Sequence, residues 1–179
     1  MFRMKSFCTA ATIFALGLSS SAFAATANNT VRFMGEVSEQ TCNIDIDGNS
    51  TSPVVLLPTV SNSQLASSGS TAGDTPFTVT LSGCGPQLTS AGIVFVANNI
   101  DGQNLKNTAT TAPATNVAIQ LLEGTTELNF VNNKVETAKQ SVGGSNLSAT
   151  YDLTARYFAT GVATAGNVEA QAQFAVTYL

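Results

Sequence analysis

Residues 168–179, VEAQAQFAVTYL, place an apolar side chain at every second position. Strict alternation with a period of two predicts a β-strand with one face turned towards a core. Residues 170–179 contain no charged residue and no proline, the features with which natural proteins commonly protect an exposed sheet edge. The stretch would therefore form a long, flat, apolar edge unless another strand paired with it.

A second alternating stretch, TVRFMGEV at residues 30–37, lies near the start of the chain. Val31, Phe33 and Val37 share one face, and Gly35 occupies the remaining position on it. This pattern also predicts a β-strand with one apolar face. Periodicity alone is compatible with pairing inside the same molecule and with pairing to a neighbouring molecule.

The rest of the chain carries further strand signals separated by turn signals, and no helical periodicity of ten residues or more. A short apolar run bounded by Pro53 and Pro58 predicts an edge strand or a short central one. Residues 61–75 and 98–115 are polar and predict loops, with a tight turn at Asp101-Gly102. The predicted strands include 54–57, 77–81, 92–97, 117–121, 128–130 and 149–159. Together with the two terminal stretches, these predict an all-β, immunoglobulin-like sandwich of eight or nine strands.

The first 24 residues have the composition of a secretory signal peptide. Arg3 and Lys5 precede a twelve-residue apolar run, and Ala22-Phe23-Ala24 supplies an A-x-A cleavage site. The apolar run is well short of the roughly 20 residues that a membrane span requires. Cleavage after Ala24 leaves residues 25–179, a length that suits one domain.

The chain without its signal peptide is acidic and sparsely charged. It retains five of the seven basic residues and all eleven acidic ones, for a net charge of −6. The basic surface expected of a nucleic-acid or anionic-membrane partner is absent from this sequence. Abundant Thr, Ser, Asn, Ala and Gly favour an exported β-rich protein over a helical cytosolic enzyme.

Two cysteines, Cys42 and Cys84, remain after cleavage. An even cysteine number in an exported chain predicts one disulfide. The alternatives are a reactive pair or a metal-binding pair. Without histidine or a third cysteine, the chain after cleavage cannot build a structural zinc site from nitrogen and sulfur ligands.

The sequence offers little catalytic chemistry. The absence of histidine excludes the Ser-His-Asp and Cys-His arrangements. The stretch DIDGN at 45–49 fails as a calcium loop, because the glycine comes too early and no glutamate closes the loop. Carboxylates are not grouped as a glycoside-hydrolase pair requires, and no phosphate-binding or nucleophile-elbow motif occurs. We therefore expect no enzyme, no cofactor and no metal.

The chain resembles the subunits of chaperone–usher fimbriae, and especially the major subunit of type 1 fimbriae. The resemblance covers essentially the whole chain after residue 24. Tyr178, next to last in the chain, and Gly166, fourteen from the end, match the C-terminal signature of these subunits. The other matching segments are TVRFMGEVSEQTCNI, VTLSGC, NVAIQLL, TARYFATG and QAQFAVTYL.

The resemblance implies an incomplete immunoglobulin-like sandwich that lacks its last strand. In such subunits a periplasmic chaperone lends a strand, and the N-terminal extension of the next subunit replaces it in the fibre. It implies a donor extension at 25–37, whose end is uncertain, and a pilin domain at 38–179. Donor residues would be Val31, Phe33, Gly35 and Val37. The edge facing the groove and the chaperone would contain Gly166, Phe174, Val176 and Tyr178.

The expected protein is a structural subunit of an adhesive fimbria, exported through the periplasm to the cell surface. Its partners would be identical or related subunits, a chaperone and an outer-membrane usher, and the sequence identifies no host receptor. One alternative is a minor adaptor or tip-associated subunit. Another is a self-contained secreted domain with a closed sandwich.

Overall fold

The computed structural model describes residues 41–179, which form two antiparallel β-sheets. The larger sheet has the order β1-β2-β10-β6-β5-β4, with β7 paired to β6; the smaller has the order β11-β3-β8, with β9 paired to β3. The strands are β1 (Asn43–Ile46), β2 (Thr71–Ser82), β3 (Ser90–Val96), β4 (Ile100–Asp101), β5 (Asn104–Lys106), β6 (Val117–Glu123), β7 (Thr126–Glu127), β8 (Lys134–Glu136), β9 (Gln140–Ser141), β10 (Ala149–Ala159) and β11 (Gln173–Tyr178).

The core lies between the two sheets and is centred on the pairing of β2 with β10. Alternation along these strands turns one set of side chains inwards, so Val79 lies opposite Tyr151 and Phe77 opposite Leu153. The Tyr151 side chain is fully buried, and its hydroxyl donates a hydrogen bond to the Ala91 carbonyl on β3. Burial raises the pKa of the Tyr151 phenol, which favours the protonated form that donates this hydrogen bond. This tyrosine therefore ties the two sheets together.

Several predicted strands are confirmed, and some predicted loops are wrong. The stretch predicted at 149–159 is β10, and the predicted buried strand at 92–97 lies largely within β3. The prediction of loops is wrong in part: residues 61–75 contain a 3-10 helix at Asn62–Leu65 and the start of β2, and residues 98–115 contain β4 and β5. The strand predicted at 128–130 is also wrong, because these residues follow β7 and belong to no strand. The beginning of β2 escapes periodicity because its register with β10 shifts between Ala155 and Tyr157.

The predicted disulfide is confirmed: Cys42 and Cys84 are bonded, and both are buried. Cys42 precedes β1 and Cys84 follows β2, and these strands pair with Asn43 opposite Ser82. The cross-link therefore joins the outer end of an existing strand pair.

The acidic turn at 45–49 has a structural role. One Asp45 carboxylate oxygen accepts a hydrogen bond from the Gly48 N–H, and one Asp47 oxygen accepts from the Thr78 N–H. Within residues 41–179, no group of three or more acidic or cysteine side chains is arranged to hold a metal ion. These carboxylates thus anchor a turn to β2.

Some sequence predictions fall outside the described residues. The predicted signal peptide (1–24) and the predicted donor residues Val31, Phe33, Gly35 and Val37 all precede residue 41. In the part of the chain that is described, no helix is long and apolar enough to cross a membrane.

Candidate functional site

An open groove of about 1070 Å³ runs along one side of the sandwich. One wall is the extended segment 53–60, and the other is formed by residues 163–172 together with Phe174. The floor consists of inward-facing residues of the larger sheet: Phe77, Leu105, Val117, Ile119, Leu121, Ala155 and Tyr157. Core side chains therefore line an opening between two segments of backbone, and we call this feature the groove.

The 163–174 wall contains the alternating C-terminal run predicted from the sequence. Val168, Ala170 and Ala172 are half-buried and pack against the core, whereas the residues between them are exposed. Only from Gln173 onwards does this run join a ladder, as β11 beside β3. The predicted strand is thus real, but its first half has no strand partner among the described residues.

The outer backbone edge of β11 is unpaired within residues 41–179. Leu179 exchanges two backbone hydrogen bonds with Ser90. Every second residue of β11, counted back from Leu179, therefore points its N–H and C=O groups at β3. Val176 lies opposite Ile93. The N–H and C=O groups of Ile93 are hydrogen-bonded to Thr137, on the side of β3 that faces away from β11. The N–H and C=O groups of Phe174, Val176 and Tyr178 therefore point away from β3, towards the open edge.

The 53–60 wall is an apolar segment without a ladder. Val55 and Leu57 pack against the core, whereas Val54 and Leu56 are 83% and 85% exposed. The prediction of a strand at 54–57 is wrong in this structure, because the segment is extended but pairs with no strand. No hydrogen bond joins its backbone to another described residue, and Pro53 and Pro58 lack the N–H that a ladder requires.

The groove is suited to an extended peptide with alternating apolar side chains. Its floor is apolar, and the hydroxyl of Tyr157 is the floor's one ionisable group, with a pKa that burial raises. The edge of β11 supplies free backbone donors and acceptors, which a neighbouring strand can satisfy. Such a strand would both fill the groove above the core and extend the smaller sheet.

The four residues predicted for the groove edge do not all have the same position. Gly166 and Phe174 line the groove directly. Val176 and Tyr178 lie further along β11, where they pack against the core. The Tyr178 hydroxyl accepts a hydrogen bond of 2.9 Å from the Cys42 N–H, which connects the groove edge to the disulfide.

Gly166 allows two segments to approach closely. A β-carbon at this position would lie 2.4 Å from the Ala114 nitrogen and 2.7 Å from the Ala112 carbonyl oxygen. The same two residues exchange backbone hydrogen bonds with Asn167. The absence of a side chain at Gly166 therefore fixes the beginning of the groove wall against residues 112–114.

Gly166→Ala is expected to destabilise the protein by about 1–3 kcal/mol, the usual cost of overpacking. The neighbouring atoms belong to the backbone, so no side-chain rotation can relieve the contact. The melting temperature should fall by roughly 3–9 °C in a domain of this size. Ala165→Ser, an addition of one atom at an exposed neighbour, is the matched control. Equal melting temperatures for both variants would show that residues 112–114 move without cost.

Sequence reasoning missed the 53–60 wall and most of the floor. Val55 and Leu57 were seen only as part of a short apolar strand. The two prolines bracketing that run were a usable signal, because they disfavour pairing along the segment. The floor residues are recognisable as core, but periodicity does not reveal which part of a core is left uncovered.

Comparison with known proteins identifies the fold and family. The family model described as "Fimbrial protein" matches residues 31–179. The chain belongs to the fimbrial protein family. The "Minor fimbrial subunit HifD" of Haemophilus influenzae is 38% identical over 159 residues, covering 83% of this chain and 73% of the relative. The "Type-1 fimbrial protein, A chain" of Escherichia coli K12 is 32% identical over 173 residues, covering 92% and 93%.

A crystal structure described as an antigen and type I fimbria protein of Burkholderia pseudomallei matches with a TM-score of 0.56 and 26% identity. It covers 78% of this chain and 95% of that one. The resemblance to fimbrial subunits and the all-β, immunoglobulin-like pilin fold are thereby confirmed. Membership of this family also identifies a structural, non-enzymatic subunit of a surface fimbrium.

Proposed function

We infer that this fimbrial subunit polymerises by donor-strand exchange. The observation that carries this proposal is the open groove, which is lined by core residues and lies beside the unpaired edge of β11. A strand from outside residues 41–179 is needed to cover it. The general mode is known for pilin complexes: an extended segment adds to a sheet edge while its alternate side chains fill pockets.

The donor in this proposal is the segment 25–37 of the next subunit. Val31, Phe33 and Val37 share one face of the predicted strand, so they can enter the groove while the side chains between them face away from it. In this proposal the lack of a side chain at Gly35 lets the donor backbone pass close to a groove wall. Residues 1–24 are removed as a signal peptide, and residues 38–179 form the accepting domain.

A periplasmic chaperone and an outer-membrane usher complete the proposal. An uncovered groove with a flat, uncharged edge strand is a site for unwanted pairing between chains. A chaperone strand that occupies the groove during export protects the subunit until the next donor segment replaces it. The subunit is then incorporated into an adhesive fibre at the cell surface.

A minor adaptor or tip-associated subunit is the second candidate. The minor subunit HifD is more similar in sequence to this chain than the type 1 A chain is, with 38% against 32% identity. The match covers less of HifD, 73% of its length against 93% of the A chain. Sequence identity therefore does not assign the abundant role. Counting the copies of this chain per fibre, by immunogold labelling of isolated fimbriae, separates a rod subunit from an adaptor.

Deleting residues 25–37 from the processed chain is expected to abolish fibres made of this subunit, because the variant accepts a strand but donates none. Electron microscopy of cells expressing only the variant provides the readout. Within the full-length chain, Phe33→Asp should act like the deletion, whereas Arg32→Ala, on the opposite face, should leave fibres intact. Normal fibres from the deletion variant would disprove donor-strand exchange by this segment.

A further inference from the structure

A small polar pocket lies on the face of the larger sheet that points away from the groove. Its volume is about 370 Å³, which is within the usual range for small-ligand sites. Leu105 and Ile119 face the groove, so the alternate residues Asn104 and Gln120 face outwards. We call this feature the amide pocket; its lining includes Asp101, Asn104, Gln120, Glu127, Asn129 and Phe158.

Strand register brings the two amides together. Leu105 pairs with Ile119 between β5 and β6, which places Asn104 opposite Gln120. Gln120 is 2% exposed, and its Oε1 accepts a hydrogen bond of 2.8 Å from the Arg156 Nε. No hydrogen bond to a described residue uses the Gln120 amide nitrogen, so its two donors are available to the pocket.

Asn104 is the unusual residue of the pocket. It is only 6% exposed, and its side chain forms no hydrogen bond with any described residue. Its Oδ1 is the one buried side-chain polar atom without a partner between residues 41 and 179. An unsatisfied buried polar group costs about 1–3 kcal/mol, and native proteins rarely retain one. The amide nitrogen of Asn104 is not a buried unsatisfied atom, and it too has no hydrogen bond to a described residue, so it is free to donate to a ligand in the pocket.

The charges around the pocket disfavour an anionic ligand. Asp101 and Glu127 line it, and Arg156 lies 3.8 Å from Glu127 but also 3.5 Å from Asp74. The acidic groups therefore outnumber the single guanidinium. These carboxylates do not form a metal-binding group with other described residues.

We propose that the amide pocket binds a neutral sugar. A sugar hydroxyl both donates and accepts, so it can pair with the carboxylates of Asp101 and Glu127 and with the amides of Asn104 and Gln120. The half-buried Phe158 ring offers an apolar surface for the C–H face of a pyranose. A shallow site of this kind binds weakly, with a Kd on the order of 1 mM.

The biological value of such weak binding rests on the proposed polymerisation. A fibre repeats the pocket along its length, so several weak contacts add up to a strong attachment to a glycan-covered surface. The pocket itself does not depend on polymerisation. It can be tested on the processed chain as monomer or fibre, while electron microscopy tests assembly separately.

Saturation-transfer NMR of the processed full chain can test the pocket with methyl glycosides of glucose, galactose, mannose and N-acetylglucosamine. At least one of these neutral sugars should receive saturation, and glucuronic acid should not. Asn104→Leu should abolish the transfer, whereas Asn98→Ala, at an exposed position outside the pocket, should preserve it. No transfer to any neutral sugar, or transfer that persists in Asn104→Leu, would overturn the proposal.

Thermal stability distinguishes a binding role for Asn104 from a structural one. Asn104→Leu removes the unsatisfied amide, so the melting temperature should rise on the order of 5 °C. If Asn104→Leu is more stable and no longer transfers saturation to the sugar, the Asn104 amide serves binding and not stability. A large fall in melting temperature would show instead that Asn104 is required for the fold, and would count against the proposal.

Discussion

A peptide spanning residues 25–37 is expected to raise the melting temperature of the chain 38–179 by on the order of 10 °C. A ligand that binds only the folded state, at a concentration of about 1,000 times its Kd, stabilises that state by about 4 kcal/mol. Each kcal/mol raises the melting temperature by roughly 3 °C in a domain of this size. The physical source is the burial of Val31, Phe33 and Val37 against the groove floor, together with backbone pairing along β11. The chain contains no tryptophan whose fluorescence could report unfolding, so far-UV circular dichroism is the suitable measurement.

Two variant peptides make the result specific. A peptide with Phe33→Asp should produce almost no shift, because it would bury an unpaired carboxylate in the apolar groove. A peptide with Arg32→Ala should behave like the original, because residue 32 belongs to the opposite face. A high, cooperative melt of 38–179 that none of the peptides changes would show a closed domain. Donor-strand exchange would then have to be abandoned.

The alternating run at residues 168–178 could be predicted because its signals are local. Alternating Val, Ala, Phe and Tyr residues, with no charge or proline after residue 169, identify the inward face and an apolar edge without the usual protecting residues. The structure agrees, with alternate half-buried and exposed residues along this run. Local periodicity is thus sufficient to find the strand and its inward face, whereas the missing neighbour is implied only by the resemblance to fimbrial subunits.

The second wall and the amide pocket could not be predicted in this way. Val55 and Leu57 belong to a continuous apolar run, and only the sheet order shows that no described strand pairs with it. Periodicity along β6 identified Val117, Ile119 and Leu121 as one buried face, but Gln120 on the other face is buried too. Which segments cover that face depends on contacts between residues far apart in sequence.

The double variant Cys42→Ala/Cys84→Ala is expected to lose about 4 kcal/mol of stability in the chain-entropy treatment of a disulfide. The bond closes a loop over a sequence separation of 42 residues. Its removal enlarges the unfolded ensemble while leaving most of the native contacts in place. The melting temperature should fall by on the order of 10 °C, measured against the unmodified chain under non-reducing conditions.

The variant separates loop closure from the local contacts of the cysteines. The hydrogen bond from residue 42 to the Tyr178 hydroxyl uses a backbone N–H, so replacement by alanine keeps the donor. Reduction of the unmodified chain should reproduce the loss seen in the double variant, because both treatments open the same loop. A fall below about 2 °C would mean that residual order between β1 and β2 already restrains the unfolded chain, which removes most of the entropic advantage of the bond.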